Sequence, residues 1–372
     1  MKKVVVVGGG IFGTMHAYLA LQEGYSVIQC ERDLRAQSAS VRNFGLIWVS
    51  GREVGAELEM ALRARELWAE VGSAVPQTGF RANGSLTIAR NQAELQVLEE
   101  AAAMPDAQLR GFSLLTKSQT TALEPVLDGD FLGALRCELD AAAEPPLLLS
   151  SLREYLKSNE NYQWQPNFEV MEFKSDSSGN HVTDVKGQTL SGDLLVICPG
   201  SSHKGFLSGL FVEAPVRRVR LQMAATVPLP TKLGHSVADG DSLRYYPAFK
   251  DLSINKLPPQ SEIAARKKMQ LLMVQRLDGT LTIGDTHEYE EPFDHELSEE
   301  PYEHLSGVIS AIFGKKAPTV ARRWDGIYSQ STSSDLYFRK TIAPGAVVVT
   351  GGGGRGNTLS PAIAEETMKQ WR

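Results

Sequence analysis

The stretch that decides the fold is residues 3–31, KVVVVGGGIFGTMHAYLALQEGYSVIQCE. It opens with a β-branched run, residues 4–7, of the kind that is buried on both faces of a parallel sheet. Residues 11–23 carry apolar side chains at helical spacing, and residues 25–30 form a second strand-like run. Strand, helix and strand follow within about thirty residues, which is the length of one β–α–β unit.

The turn of this unit carries the pattern G-x-G-x-x-G at Gly8, Gly10 and Gly13. In that pattern the first glycine permits the tight turn, the second admits a pyrophosphate, and the third lets the helix pack on the strand. Glu31 follows at the end of the second strand, where a carboxylate accepts the ribose hydroxyls of a dinucleotide. The alternative is a glycine-rich turn without a ligand. The strand, the glycines, the helix, the second strand and the acid all occur at the spacing of a dinucleotide site, which favours the dinucleotide.

The acid at position 31 disfavours a 2′-phosphate, so NAD and FAD remain as candidates. A second strand–glycine–helix junction, VVVTGGGGRGNTLSP, occupies residues 347–361 and leads into a helix predicted over residues 361–370. In a flavoprotein, such a junction aims a helix N-terminus at the flavin O2 carbonyl, where the helix dipole stabilises the reduced ring. An NAD-dependent dehydrogenase has no need of this junction. The alternative is a strand that only completes the sheet.

Length and composition exclude several classes of protein. With 372 residues, the chain is long enough for two lobes or one elaborated domain. Its 38 Lys plus Arg and 44 Asp plus Glu give a net charge of −6, which argues against a nucleic-acid partner. Cys30, Cys137 and Cys198 form neither a disulfide framework nor a zinc pattern, so we expect a cytoplasmic protein without a metal. No apolar run approaches the roughly 18 residues of a membrane helix, and we expect no targeting segment.

Four segments together resemble one group of flavoproteins. They are VVVVGGGIFG with Glu31, SASVRNFGLIW (38–48), LLVICPGS (194–201) and TGGGGRGNTLSPAIAEE (350–366). In this order they resemble the FAD-dependent D-amino acid oxidase, glycine oxidase and sarcosine oxidase superfamily over essentially the whole chain. The resemblance implies an α/β fold in which a Rossmann-like FAD-binding domain of the glutathione-reductase type joins a substrate domain with a mostly antiparallel sheet. The FAD-binding domain would comprise residues 1–77, 141–213 and 326–372, and the substrate domain residues 78–140 and 214–325.

The same resemblance implies which residues contact the cofactor. They are Gly8, Gly10, Ile11, Phe12, Gly13, Glu31, Arg32, Ser38, Ala39, Asn43, Gly45, Leu46, Val170, Gly200, Gly353, Gly354, Gly356, Asn357 and Thr358. Some members of the superfamily bind the flavin covalently through a cysteine near the C-terminal motif. No cysteine follows Cys198 in this chain, so the resemblance implies non-covalent FAD.

A narrower likeness concerns the substrate. VQRLDGTLTIGDTHEY (274–289) and RWDGIYSQS (323–331) are similar to a bacterial subgroup linked to phosphonate breakdown. This likeness implies a small anionic amine, 2-aminoethylphosphonate or its N-methyl derivative, whose C–N bond is oxidised by hydride transfer to flavin N5. O2 or another acceptor would reoxidise the flavin. The alternatives are a glycine, sarcosine or D-amino acid oxidase, an NAD-dependent dehydrogenase, and a flavin-bearing non-catalytic subunit; the oligomeric state stays open.

Three residues are candidates for the catalytic pocket: His287, Tyr246 and Arg355. His287 can take the proton that an alkylammonium must lose, although an arbitrary histidine is more often structural. Tyr246 or its neighbour Tyr245 can face the pocket, because strand alternation would point only one of them inward. Arg355 lies among glycines, where packing does not explain a long cation, and its planar fork suits a carboxylate or phosphonate. The other candidate arginines are Arg217, Arg218, Arg244, Arg322 and Arg323.

Overall fold

The computed structural model describes residues 1–371. The α-helices in this range are α1 (Ile11–Gln22), α2 (Ala56–Ala74), α3 (Gln92–Ala102), α4 (Ala107–Arg110), α5 (Lys117–Leu123), α6 (Pro145–Lys157), α7 (Ser208–Phe211), α8 (Ser242–Tyr245), α9 (Glu262–Lys267), α10 (Glu300–Phe313) and α11 (Gly356–Trp371). The strands are β1 (Lys3–Val7), β2 (Ser26–Cys30), β3 (Leu46–Ile47), β4 (Ser85–Ala89), β5 (Phe112–Thr116), β6 (Gly133–Cys137), β7 (Ala141–Ala142), β8 (Tyr162–Gln165), β9 (Val170–Asp176), β10 (Gly179–Asp184), β11 (Thr189–Gly192), β12 (Leu194–Ile197), β13 (Val216–Pro228), β14 (Ser236–Ala238), β15 (Leu272–Gln275), β16 (Thr280–Gly284), β17 (Val320–Ser331), β18 (Phe338–Ala343) and β19 (Ala346–Thr350). None of the helices described in residues 1–371 has the length and apolarity to cross a membrane.

A six-stranded sheet carries the strand order β18–β19–β12–β1–β2–β8. The strands from β19 to β8 pair in parallel, and β18 joins as an antiparallel edge. β1 lies inside this sheet, where Val4, Val5 and Val6 are each 0% exposed. The β-branched run therefore forms the doubly buried parallel strand that the sequence predicts.

An eight-stranded sheet has the order β17–β13–β16–β15–β14–β4–β6–β5, and all its pairs are antiparallel except β14 with β4. A three-stranded antiparallel sheet (β11–β10–β9) and the short pair β3–β7 complete the strands. This mixture of parallel and antiparallel sheets confirms the predicted α/β fold class. The division into domains stays a prediction: the six-stranded sheet draws on the ranges predicted for FAD binding, while β17 crosses the boundary at residue 325.

Helices α1 and α11 pack against each other through a buried histidine. His16 is 0% exposed; its Nδ1 lies 2.7 Å from the Phe12 carbonyl oxygen and its Nε2 lies 2.9 Å from the Thr367 hydroxyl. Burial lowers the pKa of His16 to about 4, so the ring is neutral at pH 7. A neutral ring can link the two helices without placing a charge in the core.

The C-terminal helix begins earlier than the sequence predicts. α11 starts at Gly356, so Pro361, the predicted first residue, lies inside the helix. A proline inside a helix leaves the carbonyl four residues earlier without its usual N–H donor. Here that carbonyl belongs to Asn357, and it accepts hydrogen bonds from the Ser360 hydroxyl at 3.1 Å and from the Trp68 indole at 3.2 Å. One local and one tertiary contact thus satisfy the group that the proline leaves open, and the helix extends toward the glycine turn.

Candidate functional site

A cavity of about 890 Å³ is lined by both large sheets. Val7 and Thr350 contribute the carboxyl ends of β1 and β19, and Met223 and Leu272 contribute side chains of β13 and β15. Ligands of open parallel sheets bind at the carboxyl ends of the strands. The volume lies at the upper end of the roughly 300–1,000 Å³ typical of ligand pockets, which is room for a large cofactor.

The residues predicted to contact the cofactor and the three candidates for the catalytic pocket line the cavity, with one exception. Its walls include Gly8, Gly10, Ile11, Phe12, Gly13, Glu31, Arg32, Ser38, Ala39, Asn43, Leu46, Val170, Gly200, Tyr246, His287, Gly353, Gly354, Arg355, Gly356, Asn357 and Thr358. Within the described chain, Gly45 is the predicted residue that does not line it. A Cβ at Gly45 would lie 2.1 Å from the Ala143 carbonyl oxygen, so this glycine serves the close packing of its loop. Direct contact of the other residues with FAD stays a prediction.

The glycine turn has no room for side chains at its two ends. Gly8 has a φ of +112°, and a Cβ there would lie 2.4 Å from the Cys198 carbonyl oxygen. A Cβ at Gly13 would lie 2.0 Å from the Gly8 carbonyl oxygen, so helix α1 packs directly on the turn. The N-terminus of α1 therefore reaches the cavity, as a pyrophosphate site requires.

Polar side chains surround this turn. The Glu31 carboxylate accepts hydrogen bonds from the Gly9 N–H at 2.7 Å and from the Asp33 N–H at 3.2 Å. Each carboxylate oxygen keeps acceptor capacity, so both remain able to bind ribose hydroxyls. The Ser40 hydroxyl accepts from the Ile11 N–H at 2.9 Å, at the start of α1. Ser40 was not among the predicted site residues, although it lies inside segment 38–48, which carries the resemblance.

Asn43 uses its side chain within its own loop. Its Nδ2 donates to the carbonyl oxygens of Ala39 at 2.9 Å and Ser40 at 3.0 Å, and its Oδ1 accepts from the Gly45 N–H at 2.6 Å. The amide is therefore fully engaged in shaping the turn. Asn43 contributes to the cavity by fixing the backbone of residues 39–45.

The second glycine junction presents the N-terminus of α11 to the same cavity. Thr358 Oγ1 accepts from the Trp48 N–H at 2.9 Å, and Asn357 Nδ2 donates to the Leu46 carbonyl oxygen at 3.0 Å. The Asn357 Oδ1 is buried and has no hydrogen-bond partner among residues 1–371. Thr350 Oγ1 donates to the Gly200 carbonyl oxygen at 2.7 Å, which ties the ends of two neighbouring strand segments together. The helix end and the open amide oxygen fit a polar flavin ring.

Arg355 shares one buried carboxylate with a second arginine. Arg355 Nη1 lies 3.3 Å from Glu57 Oε1, and Arg52 Nη1 lies 3.5 Å from the same oxygen. The side chains of Arg52 and Glu57 are 6% and 5% exposed, and that of Arg355 is 27% exposed. Burial lowers the pKa of Arg355, and the charge of Glu57 opposes this shift. Two cations against one carboxylate give this part of the cavity wall a net positive charge.

A remote arginine and a buried aspartate hold the loop that carries Arg52. Arg110 is 0% exposed, and its Nη1 donates to the carbonyl oxygens of Arg52 at 2.7 Å and Ser50 at 3.2 Å. Asp140 is also 0% exposed and accepts from the Ser50 N–H at 3.0 Å and the Ser50 hydroxyl at 2.6 Å. The loop is therefore fixed on its carbonyl side and on its N–H side. Such support places the guanidinium of Arg52 reproducibly.

Arg52 and Glu57 were not among the residues predicted from the sequence. Glu57 lies in the first turn of α2, where an acid usually complements the helix dipole and signals nothing more. The one available signal for Arg52 is its position four residues after Trp48, the last residue of a segment that carries the resemblance.

The predicted geometry of the tyrosine pair is wrong. Tyr245 ends the short helix α8 and Tyr246 follows it, so strand alternation does not apply and both line the cavity. Their rings meet edge to face with centroids 5.2 Å apart, and Tyr246 stacks on Trp48 at 5.9 Å. Burial raises the pKa of both hydroxyls, which therefore act as neutral hydrogen-bonding groups.

His287 lies in the same wall and is 4% exposed. Its Nδ1 lies 3.0 Å from the Lys268 carbonyl oxygen, and its Nε2 lies 3.9 Å from Asp285 Oδ2. Because a carbonyl can only accept, Nδ1 carries a hydrogen. Its ring packs against Tyr245 at 4.5 Å. Asp285, two residues earlier, also lines the cavity and was missed by sequence analysis.

The other candidate arginines separate into two groups. Arg244 lines the cavity and lies 3.3 Å from Asp241. The remaining four lie away from the cavity wall as far as residues 1–371 are described: Arg217, Arg218, Arg322 and Arg323. Arg218 pairs with Glu291 at 2.9 Å, and Arg323 pairs with Glu299 at 2.7 Å. These contacts make them surface or structural cations.

Comparison with known proteins places the chain in a family. The DAO family profile, described as FAD dependent oxidoreductase, matches residues 3–370. One subunit of the opine oxidase of Rhizobium meliloti is 23% identical over 242 residues, a match that covers 62% of this chain and 64% of that protein. Glycine oxidase from Bacillus cereus ATCC 14579 superimposes with a TM-score of 0.79 at 18% identity, covering 100% of this chain and 96% of that one. Iminodiacetate oxidase from Chelativorans sp. BNC1 gives a TM-score of 0.76 at 18% identity, covering 97% and 93%. The chain therefore belongs to the DAO family of FAD-dependent oxidoreductases.

Proposed function

We propose that this protein oxidises the C–N bond of a small amine that carries an anionic group, with non-covalent FAD as the hydride acceptor. The candidate substrates are 2-aminoethylphosphonate and its N-methyl derivative. Family membership decides for FAD over NAD, and it supports an oxidoreductase acting on amines or amino acids. The reoxidant is O2 or another acceptor.

The pair of arginines on Glu57 is the observation that carries this proposal. With Glu57 as the one carboxylate that they contact, Arg52 and Arg355 form a largely buried cluster with an excess of one positive charge. A buried cation without a full counter-charge is costly, and an anionic ligand removes that cost. Both guanidinium groups can form two-pronged hydrogen bonds to a carboxylate or a phosphonate.

The cavity fits FAD and supports a non-covalent mode of binding. Gly8 and Gly13 leave a cradle that side chains would fill, and the N-termini of α1 and α11 reach the same space. Cys198 is the cysteine on the described cavity wall, and burial raises the pKa of its thiol well above the ordinary range. A protonated thiol is a poor nucleophile, which supports a flavin that is not tethered to Cys198.

Bound FAD would supply a two-electron acceptor, and the residues of the chain would orient and deprotonate the amine. An alkylammonium with a pKa near 10 must lose a proton before its C–H bond can yield a hydride, which costs about 4 kcal/mol at pH 7. His287 Nε2 is the proton acceptor expected from the sequence, and its Nδ1 contact holds the ring in the tautomer that this role requires.

A carboxylated secondary amine is the second candidate substrate. Iminodiacetate, after which one structural neighbour is named, is such an amine, and its two carboxylates would suit two arginines. The opine oxidase relative is one subunit of an oxidase, which supports the alternative of a flavin-bearing subunit that works with a partner.

The test is an anaerobic panel of amines followed by flavin absorbance. The panel contains 2-aminoethylphosphonate, N-methyl-2-aminoethylphosphonate, glycine, sarcosine, iminodiacetate and neutral alkylamines of matched length. We expect FAD to be released by acid, and bleaching to be fastest with an anionic amine. Flavin retained on the denatured chain would contradict the non-covalent mode. Preference for the neutral amines, or no bleaching at all, would contradict the proposed reaction.

A further inference from the structure

We infer that Asp285, Gln270 and Tyr328 form the subsite that binds the ammonium end of the substrate. This inference rests on the proposed function, in which the anionic end of the substrate binds Arg52 and Arg355. It adds the site for the other end of the same substrate, the ammonium group. All three residues line the cavity. We call them the acceptor wall below.

The acceptor wall carries three buried oxygens that lack a well-formed hydrogen bond within the described chain: Asp285 Oδ1, Gln270 Oε1 and the Tyr328 hydroxyl. The Gln270 side chain acts on the Asp285 carboxylate, and the hydroxyls of Tyr245 and Tyr328 interact with each other. Asp285 and Gln270 are only 5% and 3% exposed, so bulk water does not compensate them. Buried polar groups are nearly always satisfied, and an exception on a cavity wall indicates a missing ligand group. An alkylammonium has three N–H donors to offer to such acceptors.

The other part of the cavity shows the complementary pattern. Arg52 and Arg355 are donors, and the buried Trp48 Nε1 is a donor without a partner in residues 1–371. The pKa values of Tyr245 and Tyr246 are both affected by the charges of Arg52 and Asp285. The two tyrosines therefore lie within range of both groups. The anionic end of a substrate would accept hydrogen bonds from these donors, and its ammonium end would donate to the acceptor wall.

The acceptor wall is held in place by its neighbours. The Asp285 backbone N–H donates to the Gln270 backbone carbonyl oxygen at 3.0 Å, which ties the two residues together at adjacent strand ends. His287 Nε2 lies 3.9 Å from Asp285 Oδ2, which is beyond hydrogen-bond distance, and its Nδ1 contact with the Lys268 carbonyl oxygen fixes the ring there. His287 is then a positioning residue beside the carboxylate.

Asp285, in place of the His287 expected from the sequence, then provides the proton acceptor that the amine needs. When an ammonium N–H bond breaks and an O–H bond forms at Oδ1, the nitrogen keeps the electron pair and no atom changes oxidation state. Burial raises the pKa of Asp285, while the neighbouring His287 charge and the Gln270 amide oppose that shift. A raised pKa makes the carboxylate a stronger base. The other titratable groups whose charges interact with it are Tyr245, Tyr246, Tyr289 and Tyr328.

The experiment compares isosteric ligands that differ only at the amine. Binding of 2-aminoethylphosphonate and propylphosphonate to the FAD-loaded protein is measured by calorimetry, with iminodiacetate and glutarate as a second pair. We expect Asp285→Asn to weaken each amine by about 10- to 150-fold, the range for losing a charged hydrogen bond, and to leave each amine-free ligand within twofold. Gln270→Met should produce a smaller loss, about 2- to 10-fold, again confined to the amines. Arg355→Ala should weaken both members of each pair.

The effect of Asp285→Asn on the two members of each pair separates a role in amine binding from a structural role. Equal weakening of both members of a pair by Asp285→Asn shows a structural role and overturns the inference, as does no weakening at all. If Asp285→Asn loses FAD or melts early, the Gln270→Met result decides, because that variant keeps every charge. If wild-type protein binds neither pair, the anionic-amine function itself has failed. In the wild type, the ratio of amine to amine-free affinity should fall as pH falls through the raised pKa of Asp285, and Asp285→Asn should show no such change.

Discussion

The two ends of the cavity are built by different means. The glycine end, formed by Gly8, Gly13 and Glu31, uses backbone groups and one carboxylate from a single continuous unit of about thirty residues. The arginine end, formed by Arg52, Glu57 and Arg355, uses side chains from segments three hundred residues apart in the chain. At the glycine end, the lack of space for a Cβ restricts which residues can occur. At the arginine end, the balance of buried charges restricts them.

This difference shows which kind of site a local motif can specify. A turn whose geometry excludes side chains requires glycine at given positions, so the requirement is visible in the sequence. A charge pair such as Arg52 and Glu57 is positioned by a residue far away in the chain, Arg110, and therefore produces no recognisable residue spacing in the sequence. Mutations at the glycine end should therefore act on FAD, and mutations at the arginine end on the substrate.

The largest effect is expected for Gly13→Ala. The added Cβ would lie 2.0 Å from the Gly8 carbonyl oxygen, so α1 must move away from the turn. We expect no FAD to co-purify, as measured by flavin absorbance per protein. Gly307→Ala is the matched control, since a Cβ there meets open space, and it should keep full FAD content. A yellow Gly13→Ala protein with wild-type FAD content would refute the importance of this contact.

The second largest effect is expected at the arginine end of the cavity, where Arg52→Ala should reduce kcat/KM. Losing one partner of a buried charge pair costs about 2–5 kcal/mol, or roughly 30- to several-thousand-fold in kcat/KM for the anionic amine. Arg355→Ala should cost less because its side chain is 27% exposed against 6% for Arg52. Arg355→Lys should be nearly as harmful if the contact has two prongs.

Arg322→Ala serves as the control for both arginines, because Arg322 is 64% exposed and touches Asp278 only at 3.9 Å. FAD content should stay unchanged in all four variants. The distinction between the two ends breaks down if Arg52→Ala loses FAD while kcat/KM per bound flavin is preserved.

Arg110→Met should reduce kcat/KM by about 100-fold, the scale for misplacing a reacting group by about 1 Å. Its guanidinium holds the carbonyl oxygens of residues 50 and 52, so its loss frees the loop that carries Arg52. Because Arg110 acts through position, we expect the affinity for FAD to remain within twofold. Calorimetric FAD titration beside steady-state kinetics measures both quantities. Equal losses in both would show general destabilisation instead.

The smallest effect is expected for Glu31→Gln. The amide keeps one oxygen as an acceptor for the Gly9 N–H but loses the charge that binds ribose hydroxyls. FAD binding should weaken by about 1–3 kcal/mol, measured by quenching of flavin fluorescence. At saturating FAD, kcat should match the wild type. An unchanged FAD affinity would place the adenosine elsewhere in the cavity.

Several features of the site lay beyond prediction even where the sequence was informative. The start of α11 could not be located because the carbonyl opposite Pro361 is satisfied by two side chains, the nearby Ser360 hydroxyl and the indole of Trp68, far away in the chain. Tyr245 and Tyr246 were assigned to a strand, and the short helix α8 turns both inward. Asp285 stands two residues from the predicted His287, yet an isolated aspartate carries no sign of being buried without a partner.

The sequence by itself determined the β–α–β unit, the glycine turn and the family, because local backbone geometry and burial on both faces restrict which residues can occur there. Only the tertiary structure decided the charge pattern of the cavity. Arg52, Glu57 and Arg355 come together through the packing of α2 beside the C-terminal junction, and Asp285 and Gln270 through two adjacent strand ends. Electrostatic interactions depend on distance and burial in three dimensions, and neither quantity is encoded in the spacing of residues along the chain.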